Sequence, residues 1–486
     1  MRKRLILFFL ILIGFFYRLY GLDNNYSFWT DENHVAIFVR AIAERGKPIL
    51  ENGYSTSVYQ WLQYWLSAIF VKFFGLNEFA MRFPSVIFGV LTIWVVYFLG
   101  KELFNKNIGL ISAFLTAFLK IEILWSRQAR PYQALQFFYL LGLWFVYKLT
   151  KEENFNWRYF FGFLACGILA SLMHGLGLVV LFVGFLNLLI FRFYWFKKWA
   201  LGGGLLILVF SYVFKIQIFY VFSSLGKVNN LFYYRVFLTH NYPLLIFLAL
   251  IGWLMAFLKN REIFLLLSLP LVIQVFIVSF LLGQPFVRYF YPVFSILILF
   301  SSVGLVEVSH SISSIFRERK KRISLFLLLF FFVFSMANKF ALVPKQFYSL
   351  NEDMQEIPEV DWKKIYKFVE ERLKQNSQLA LVTNWNDLPV WYLGEGRLNY
   401  LIRKVGMIKV SKDPISGAKL IYSKEDFEKM IKETRAGTLV IDSWDDRIPA
   451  GIREYVKDNL KKELEVDRLY PVQPRLWPVE VYSWER

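Results

Sequence analysis

Long apolar runs separated by short polar segments fill the first 343 residues of this 486-residue chain. Because about 20 apolar residues cross a bilayer as a helix, the runs predict about eleven transmembrane helices. They lie at about 5–20, 84–100, 108–123, 132–147, 159–173, 175–191, 200–219, 242–258, 263–282, 288–306 and 323–343.

The loop between the first two runs, residues 21–83, has a different pattern. It contains two amphipathic stretches, near 31–45 and 57–74, separated by Gly46, Pro48 and Gly53. An apolar face on an otherwise polar helix suits the membrane surface. We therefore expect two interfacial helices in this loop.

The last segment, 344–486, alternates short apolar runs with amphipathic ones. The runs 378–384 and 437–444 predict buried strands, and 361–375, 423–435 and 452–464 predict helices. Such alternation is typical of an α/β domain. The predicted fold is a polytopic α-helical membrane bundle (1–343) followed by a small C-terminal α/β domain (344–486).

The charges orient this bundle. The chain has a net charge of +19, from 56 basic and 37 acidic residues. The tail holds 24 of each, so the whole excess lies in residues 1–343. Basic clusters follow every second apolar run, which predicts that these loops and the N-terminus lie in the cytoplasm. An odd number of spans would then place the tail outside the cytoplasmic membrane.

Composition excludes several classes of protein. Hydrophobic residues make up 57% of the chain and charged residues 19%, which argues against a disordered or purely soluble protein. Cys166 is the single cysteine, so no disulfide can form within the chain. The basic residues are dispersed between apolar runs, which argues against nucleic-acid binding.

Asp31 and Glu32 follow the first predicted span, and residues 1–343 contain only one other aspartate, Asp23. The pair has two compatible explanations. Thr30 or Asp31 could cap an interfacial helix, with the acids favoured in its first turn. Alternatively, a carboxylate held at the membrane surface could take a proton from an acceptor hydroxyl.

Arginines mark two further segments predicted to lie on the outer side. The motif SRQARPYQAL contains Arg127, Arg130 and Tyr132, and Arg288 with Tyr289 begins the tenth run. Guanidinium groups bind phosphate or pyrophosphate bidentately. The alternatives are snorkelling to lipid headgroups and interfacial anchoring.

Candidates for a divalent metal site are Glu32, His34 and His174. His174 could equally be a packed, hydrogen-bonded residue, and two or three ligands so far apart in sequence do not define a site. The segment Arg82-Phe83-Pro84-Ser85 predicts the start of the second span, with Pro84 at the first helical position.

These pieces, in this order, resemble the polytopic C-type glycosyltransferases, in the branch of protein O-mannosyltransferase-like enzymes and the lipid A aminoarabinose transferase. The resemblance covers roughly residues 1–310. It rests on TDENHVAIFVRAIAERGKP, YQWLQYWLSAIFVKFFGLNEFAMRFPSVIFGVLTIWVVYFLGKELF, SRQARPYQAL and VRYFYPVFSILIL.

The resemblance implies a transferase that moves a sugar from a polyprenyl-phosphate donor to a lipid, protein or glycan acceptor on the outer face. It places Asp31 and Glu32 at the catalytic centre, and Arg127, Arg130 and Arg288 near the donor phosphate. The aminoarabinose branch shows Lys-Pro where this chain has Ser55-Thr56-Ser57-Val58, and an aspartate after the third span where it has 126–130. Both departures argue against lipid A modification, and the missing Trp-Trp-Asp motif argues against transfer of a whole oligosaccharide.

Two other functions stay open at this point. Many spans and buried basic residues would also suit a transporter or lipid flippase, although the halves show no inverted repeat. The predicted strand ends of the tail could instead bind a glycan by stacking and hydrogen bonds. Those residues are Asn384, Trp385, Asn386, Asp387, Ser443, Trp444, Asp445 and Asp446.

Overall fold

The computed structural model describes residues 2–23, 27–56, 60–197, 227–314, 321–349, 359–404, 406, 410–469 and 477–485. The chain divides into two compact units, each interrupted in sequence. Unit 1 comprises Met1–Tyr20, Val58–Gln63 and Ser85–Met354, and unit 2 comprises Gly21–Ser57, Tyr64–Pro84 and Gln355–Arg486. The predicted domain division at 343/344 stays a prediction.

The described residues before the tail form helices almost throughout. They are α1 (Arg2–Leu19), α2 (Thr30–Arg45), α3 (Trp61–Phe74), α4 (Glu78–Leu103), α5 (Lys106–Phe118), α6 (Lys120–Trp125), α7 (Tyr132–Lys151), α8 (Trp157–Met173), α9 (Leu178–Phe191), α10 (Phe193–Lys197), α11 (Leu231–Asn241), α12 (Pro243–Lys259), α13 (Arg261–Phe280), α14 (Val287–Phe290), α15 (Phe294–Ser314) and α16 (Lys321–Ser335). Short 3₁₀ turns, Gly175–Gly177 and Tyr291–Val293, precede α9 and α15.

The predicted apolar runs among the described residues are mostly helical, but in the run 323–343 the α-helix ends at Ser335 and Phe340 forms an isolated β-bridge with Leu119. The run 200–219, with its Gly202–Gly204 segment, lies outside the described residues. Among the described residues, three segments are long and apolar enough to cross a membrane: Glu78–Leu103, Arg261–Phe280 and Val287–Ile312. The bent pair α11–α12, with 103° between its helices, is a fourth candidate. The structure therefore supports a helical membrane protein, and the count of about eleven spans is not confirmed.

Helices α12 and α15 of unit 1 pack backbone against backbone. A Cβ atom added to Gly252 would lie 1.9 Å from the carbonyl oxygen of Phe300, and one added to Gly304 would lie 2.0 Å from that of Leu248. Since no side chain fits at these distances, glycine at both positions sets the spacing of the two helices. Close approach through small residues is how helices associate inside a bilayer.

The two amphipathic stretches predicted for the first loop are helices α2 and α3. Gly46 ends α2 with φ of 74°, and its N–H bonds the carbonyl of Ile42. Residues other than glycine rarely adopt this left-handed conformation, which explains where the helix stops.

Helix α4 begins earlier than the sequence predicted. Its first residue is Glu78, and Pro84 lies inside the helix rather than at its start. The amide of Asn77 accepts a hydrogen bond of 2.9 Å from the N–H of Ala80, which caps the earlier turn. As a result Glu78 and Arg82 lie one turn apart on the same helix face.

The tail forms a mixed six-stranded sheet with the order β3-β2-β1-β4-β6-β5. β1 pairs in parallel with β2 and β4, β2 pairs in parallel with β3, and β6 pairs antiparallel with β4 and β5. The strands are β1 (Ala380–Thr383), β2 (Tyr400–Ile402), β3 (Lys419–Ile421), β4 (Ala436–Asp442), β5 (Lys461–Val466) and β6 (Val479–Glu485). The helices are α17 (Trp362–Gln375), α18 (Asp387–Leu393), α19 (Lys424–Glu433) and α20 (Ile452–Asn459).

Alternating side chains of the sheet form two separate cores. Leu381 and Val440 pack with α17 and α18, whereas their neighbours Val382 and Leu439 pack with α19 and α20. The period of two along each strand therefore covers both faces with helices. The small α/β domain predicted for the tail is confirmed as a helix-covered sheet.

One predicted helix of the tail was too long. The segment 452–464 is helical only as far as Asn459, and Lys461–Val466 forms strand β5. Leu460 adopts an extended conformation between them. The antiparallel ladder with β6, in which Lys462 lies opposite Tyr482, outweighs the helical preference of the lysines and glutamates.

The close packing of α12 on α15 can be tested by adding one methyl group. Gly304→Ala should destabilise the protein by about 1–3 kcal/mol, since the new Cβ would overlap the Leu248 carbonyl. Gly283→Ala is the control, because a Cβ there meets no atom within 4 Å. Thermal unfolding in detergent measures both; equal melting temperatures would show that the helices separate at little cost.

Candidate functional site

The acid pair lies in the first turn of helix α2, within unit 2. The helix begins at Thr30, and its N-cap, Trp29, makes no side-chain hydrogen bond to the helix. Thr30 and Asp31 are therefore inside the helix, and the explanation that one of them caps it is wrong. Asp31 is half-buried, and the positive end of the helix dipole favours its charge.

Glu32 is fully buried and holds the Arg82 guanidinium with both carboxylate oxygens. Arg82 donates from Nε at 2.9 Å and from Nη2 at 2.7 Å. Its Nη1 lies 3.5 Å from Oε2 of the buried Glu78. These three residues form an ion-pair chain (Glu32, Arg82 and Glu78). Burial of such charges is tolerated because each one has a partner with good geometry.

A second carboxyl lies near Asp31. The pKa of Asp387, at the start of α18, is raised to about 7, mainly by burial. The negative charge of Asp31 adds to this rise, whereas hydrogen bonds from backbone N–H groups and the charge of Arg447 oppose it. The Asp387 side chain accepts from the N–H of Leu388 at 2.9 Å. The charge of Asp31 therefore acts on the Asp387 carboxyl, a proximity that the long sequence separation concealed.

Unit 1 brings together five of the residues predicted from sequence. Arg130 and Arg288 are buried, and their guanidinium carbons lie 5.5 Å from the ring centres of Tyr132 and Tyr289 respectively. The ring of His174 lies 5.4 Å from Tyr132 and 5.9 Å from Tyr289. These residues form an arginine–aromatic cluster (Arg130, Arg288, His174, Tyr132 and Tyr289), in which aromatic faces stabilise two cations.

His174 lies between helices α8 and α9 and is neutral at physiological pH. Burial, together with the charges of Arg130 and Arg288, lowers the pKa of His174 to about 3. Its Nδ1 accepts a hydrogen bond of 3.2 Å from the N–H of Leu176. In the neutral ring the proton then lies on Nε2, which makes His174 a hydrogen-bond donor.

Each of the three metal-ligand candidates has other neighbours within its own unit. Glu32 is bound by Arg82, His34 packs edge-on against Phe38, and His174 packs against Tyr132. Within the described ranges, no three His, Cys, Asp or Glu side chains are grouped as a metal site requires.

Arg127 has different surroundings from Arg130 and Arg288. Its Nη1 donates to the carbonyl oxygens of Tyr17, Arg18 and Tyr20 at 3.3, 3.1 and 2.7 Å, and its Nη2 donates to that of Gln346 at 2.5 Å. These contacts fix the end of α1 to a later segment. Its guanidinium carbon also lies 5.4 Å from the ring centre of Tyr348. Arg127 thus binds the end of α1, whereas Arg130 and Arg288 belong to the cluster around His174, and the predicted phosphate role of Arg127 stays a prediction.

A buried polar network in unit 1 was missed by sequence reasoning. Glu122 accepts from Gln136 Nε2 at 3.2 Å, and the single hydroxyl proton of Tyr291 lies between Glu122 Oε2, at 2.8 Å from Oη, and Gln133 Oε1, at 2.6 Å. Tyr291 packs on Trp125, which packs on Tyr132 of the cluster. An acid inside an apolar run was the available signal.

The strand ends of the tail bond to one another. Asn384 donates to Asp445 at 3.0 Å, and Trp385 Nε1 donates to Asp442 at 3.0 Å. Asp442 also pairs with the buried Arg468. Because these polar groups satisfy one another, they stabilise the carboxyl ends of β1 and β4, and their geometry gives no support to a glycan site.

Comparison with known sequences gives two partial matches. Residues 61–215 match the family model of dolichyl-phosphate-mannose-protein mannosyltransferases. An uncharacterized protein of Aquifex aeolicus (strain VF5) is 29% identical over 169 residues, which cover 32% of this chain and 32% of that relative. The chain thus matches about a third of the length of this curated relative.

Solved structures match over nearly the whole chain. ArnT from Cupriavidus metallidurans in the apo state has a TM-score of 0.65 at 12% identity, covering 98% of this chain and 97% of that one. The same protein bound to undecaprenyl phosphate gives 0.63 at 12% identity, with the same coverage. The archaeal oligosaccharyltransferase AglB from Archaeoglobus fulgidus, in complex with an inhibitory peptide and a dolichol-phosphate, gives 0.56 at 14% identity, covering 90% and 69%.

These matches confirm the predicted resemblance to the polytopic C-type glycosyltransferases. TM-scores of 0.65 and 0.56 show a shared fold, and at sequence identities of 12% and 14% they show the fold alone. The chain therefore has the fold of membrane glycosyltransferases, and part of it matches a mannosyltransferase family.

The raised pKa of Asp387 predicts a pH-dependent stability. The pKa of this carboxyl is about 7 in the folded protein and about 3.9 in the unfolded chain. The folded state therefore binds more protons between these values, and stability falls as pH rises from about 4 to about 7. Asp387→Asn should flatten this decline, because it removes the titrating group.

Melting temperatures measured in detergent from pH 4 to pH 8 would test this. The stability of Asp387→Asn relative to wild type should increase with pH across that window, by roughly 1.4 kcal/mol for each unit of pKa shift. Asp458→Asn, at an exposed position on α20, is the control. Parallel curves for wild type and Asp387→Asn would contradict the raised pKa.

Proposed function

We propose that this protein is a membrane glycosyltransferase that transfers a sugar from a polyprenyl-phosphate donor to a hydroxyl group of a lipid, protein or glycan. The arginine–aromatic cluster carries the proposal, since two buried cations beside aromatic rings suit an anionic group. The fold supports it: a structural neighbour, ArnT, is bound to undecaprenyl phosphate, and another, AglB, to a dolichol-phosphate.

Arg130 and Arg288 would bind the donor phosphate. Planar guanidinium groups donate two parallel hydrogen bonds to phosphate oxygens, and burial strengthens that attraction. Tyr132 and Tyr289 would hold the two arginines in place by ring contact. As the glycosidic bond breaks, negative charge grows on the phosphate, and cations positioned in advance stabilise it.

Asp31 would act as the general base. The acceptor oxygen attacks the anomeric carbon, its proton passes to the Asp31 carboxylate, and the bond between that carbon and the phosphate oxygen breaks. The electron pair leaves with the polyprenyl phosphate. Because phosphate is already a good leaving group, the step needs no nucleotide, and direct displacement inverts the anomeric configuration.

Glu32 would orient Asp31 rather than accept the proton, since both its oxygens already bind Arg82. The basic-loop pattern supports an enzyme of the cytoplasmic membrane whose reaction and tail lie on the outer face. At 55–58 and 126–130 the sequence differs from the aminoarabinose transferase branch, which favours an acceptor other than lipid A.

Replacing the carboxylate of Asp31 tests the base directly. Asp31→Asn preserves the size of the side chain and removes the proton acceptor, so transfer should fall by roughly 10²–10⁴-fold. The melting temperature should change little.

The control is Asp23→Asn, at an exposed position shortly after α1, which should retain wild-type transfer. The measurement is the movement of radiolabel from synthetic polyprenyl-phosphate sugars into an extracted acceptor fraction; normal transfer by a folded Asp31→Asn protein would exclude Asp31 as the base.

Replacing Arg130 or Arg288 tests the phosphate site. Each Arg→Ala change should weaken use of the donor about ten- to a hundredfold, as loss of a charge-assisted hydrogen bond of about 1.5–3 kcal/mol implies. Arg→Lys should restore part of the activity, because the charge remains and the bidentate geometry is lost. Arg158→Ala removes an exposed arginine of the same unit and is the control.

The measurement is kcat/KM over a range of donor concentrations, with melting temperatures for each variant. Donor kinetics unchanged in Arg130→Ala and Arg288→Ala would return both residues to the role of interfacial anchors.

A further inference from the structure

Two residues of the C-terminal tail bind Glu78, the last member of the ion-pair chain. Tyr392, in α18, donates its hydroxyl proton to Glu78 Oε1 at 2.7 Å. The Lys363 ammonium group, in α17, lies 2.8 Å from Glu78 Oε2. Each Glu78 oxygen therefore has a partner from the tail, and Oε2 also faces Arg82. All these residues belong to unit 2.

The orientation of Arg82 depends on how Glu78 is neutralised. Arg82 is shared between Glu78, at 3.5 Å, and Glu32, at 2.7 Å. While Lys363 and Tyr392 satisfy Glu78, Arg82 stays in the bidentate contact with Glu32. Without Lys363 and Tyr392, Glu78 would compete with Glu32 for the Arg82 guanidinium group. Part of the bidentate contact between Arg82 and Glu32 would then be lost. Since Glu32 is adjacent to Asp31 in the first turn of α2, that turn would move with it.

A separate contact from the tail reaches the same turn. Trp391, next to Tyr392, packs on Phe28 with 5.3 Å between ring centres, and the Arg82 guanidinium carbon lies 4.9 Å from the Phe28 ring centre. The carbonyl of Phe28 accepts a hydrogen bond of 3.3 Å from Asn33 of α2. The tail thus fixes the residues immediately before Asp31 as well as those after it.

We infer that the C-terminal domain is a working part of the acid-pair site, and that Lys363 and Tyr392 are positioning residues that hold Asp31 in place through Glu78, Arg82 and Glu32. The inference rests on the proposed function, since it takes Asp31 as the base. It gives the tail a role in transfer itself, distinct from a separate glycan-binding module.

The test uses the full-length protein and a radiolabelled polyprenyl-phosphate sugar. The double variant Lys363→Met/Tyr392→Phe should lower kcat by about tenfold, because loss of contacts that act only on positioning lowers kcat and leaves KM for the donor unchanged. Lys363→Arg, which keeps the charge, should restore most of the rate. Lys364→Met, at the exposed neighbouring position, should leave kcat unchanged.

A double-mutant cycle separates positioning from general destabilisation. If the two residues act through Asp31, adding Lys363→Met/Tyr392→Phe to Asp31→Asn should cause no further loss of transfer. An equal tenfold loss in that background, or a normal kcat in the Asp31-containing double variant, would overturn the inference. Wild-type transfer by Asp31→Asn alone would instead refute the role of Asp31 as the base, and absence of transfer by the wild-type protein would refute the proposed function, so these failures are distinguishable. Melting temperatures within a few degrees of wild type confirm that each variant is folded.

Discussion

The ion pair between Glu32 and Arg82 joins helix α2 to the beginning of helix α4, and the placement of the acid pair depends on it. Both charges are buried, and two hydrogen bonds of 2.7 and 2.9 Å connect them. Breaking a buried pair leaves an uncompensated charge, at a cost of about 3–5 kcal/mol. The pair therefore constrains the first turn of α2 far more strongly than the surface ion pairs of the tail constrain their helices.

The three arginines of the sequence motifs differ in their hydrogen-bond partners and share aromatic neighbours. Arg127 donates to four backbone carbonyls and closes the end of α1 against a later segment. Its guanidinium carbon lies 5.4 Å from the ring centre of Tyr348, and those of Arg130 and Arg288 lie 5.5 Å from the ring centres of Tyr132 and Tyr289. Arg130 and Arg288 are set apart because both lie close enough to His174 to lower its pKa. Only the fold supplies these surroundings.

Much of the architecture followed from periodicity. Apolar runs gave the helices of the bundle, amphipathic stretches gave α2 and α3, and alternation gave the sheet of the tail. The misplaced boundaries have local causes: Asn77 caps α4 before Pro84, and pairing with β6 makes a strand of Lys461–Val466. Neither cause is visible in hydrophobic periodicity, because one is a single hydrogen bond and the other a contact between distant segments.

The site was predictable in part. The acids Asp31 and Glu32 and the cluster arginines could be chosen because acidic or basic side chains are rare around apolar runs. Their partners could not be chosen, since Glu78, Lys363 and Tyr392 look like ordinary surface residues in sequence. Glu78 becomes part of the site only because the fold places Lys363 and Tyr392 against it. Contacts between residues so far apart in sequence cannot be predicted from the sequence alone.

Chemical cleavage of the donor tests the central claim most directly. Purified protein would be incubated with a polyprenyl-phosphate sugar and an extracted acceptor fraction, with no nucleotide present, and the lipid products would be quantified by mass spectrometry. A transferase releases one polyprenyl phosphate for each sugar that appears on the acceptor. If the lipid-linked sugar stays intact while it crosses the bilayer of a proteoliposome, the protein is a transporter and the account is wrong.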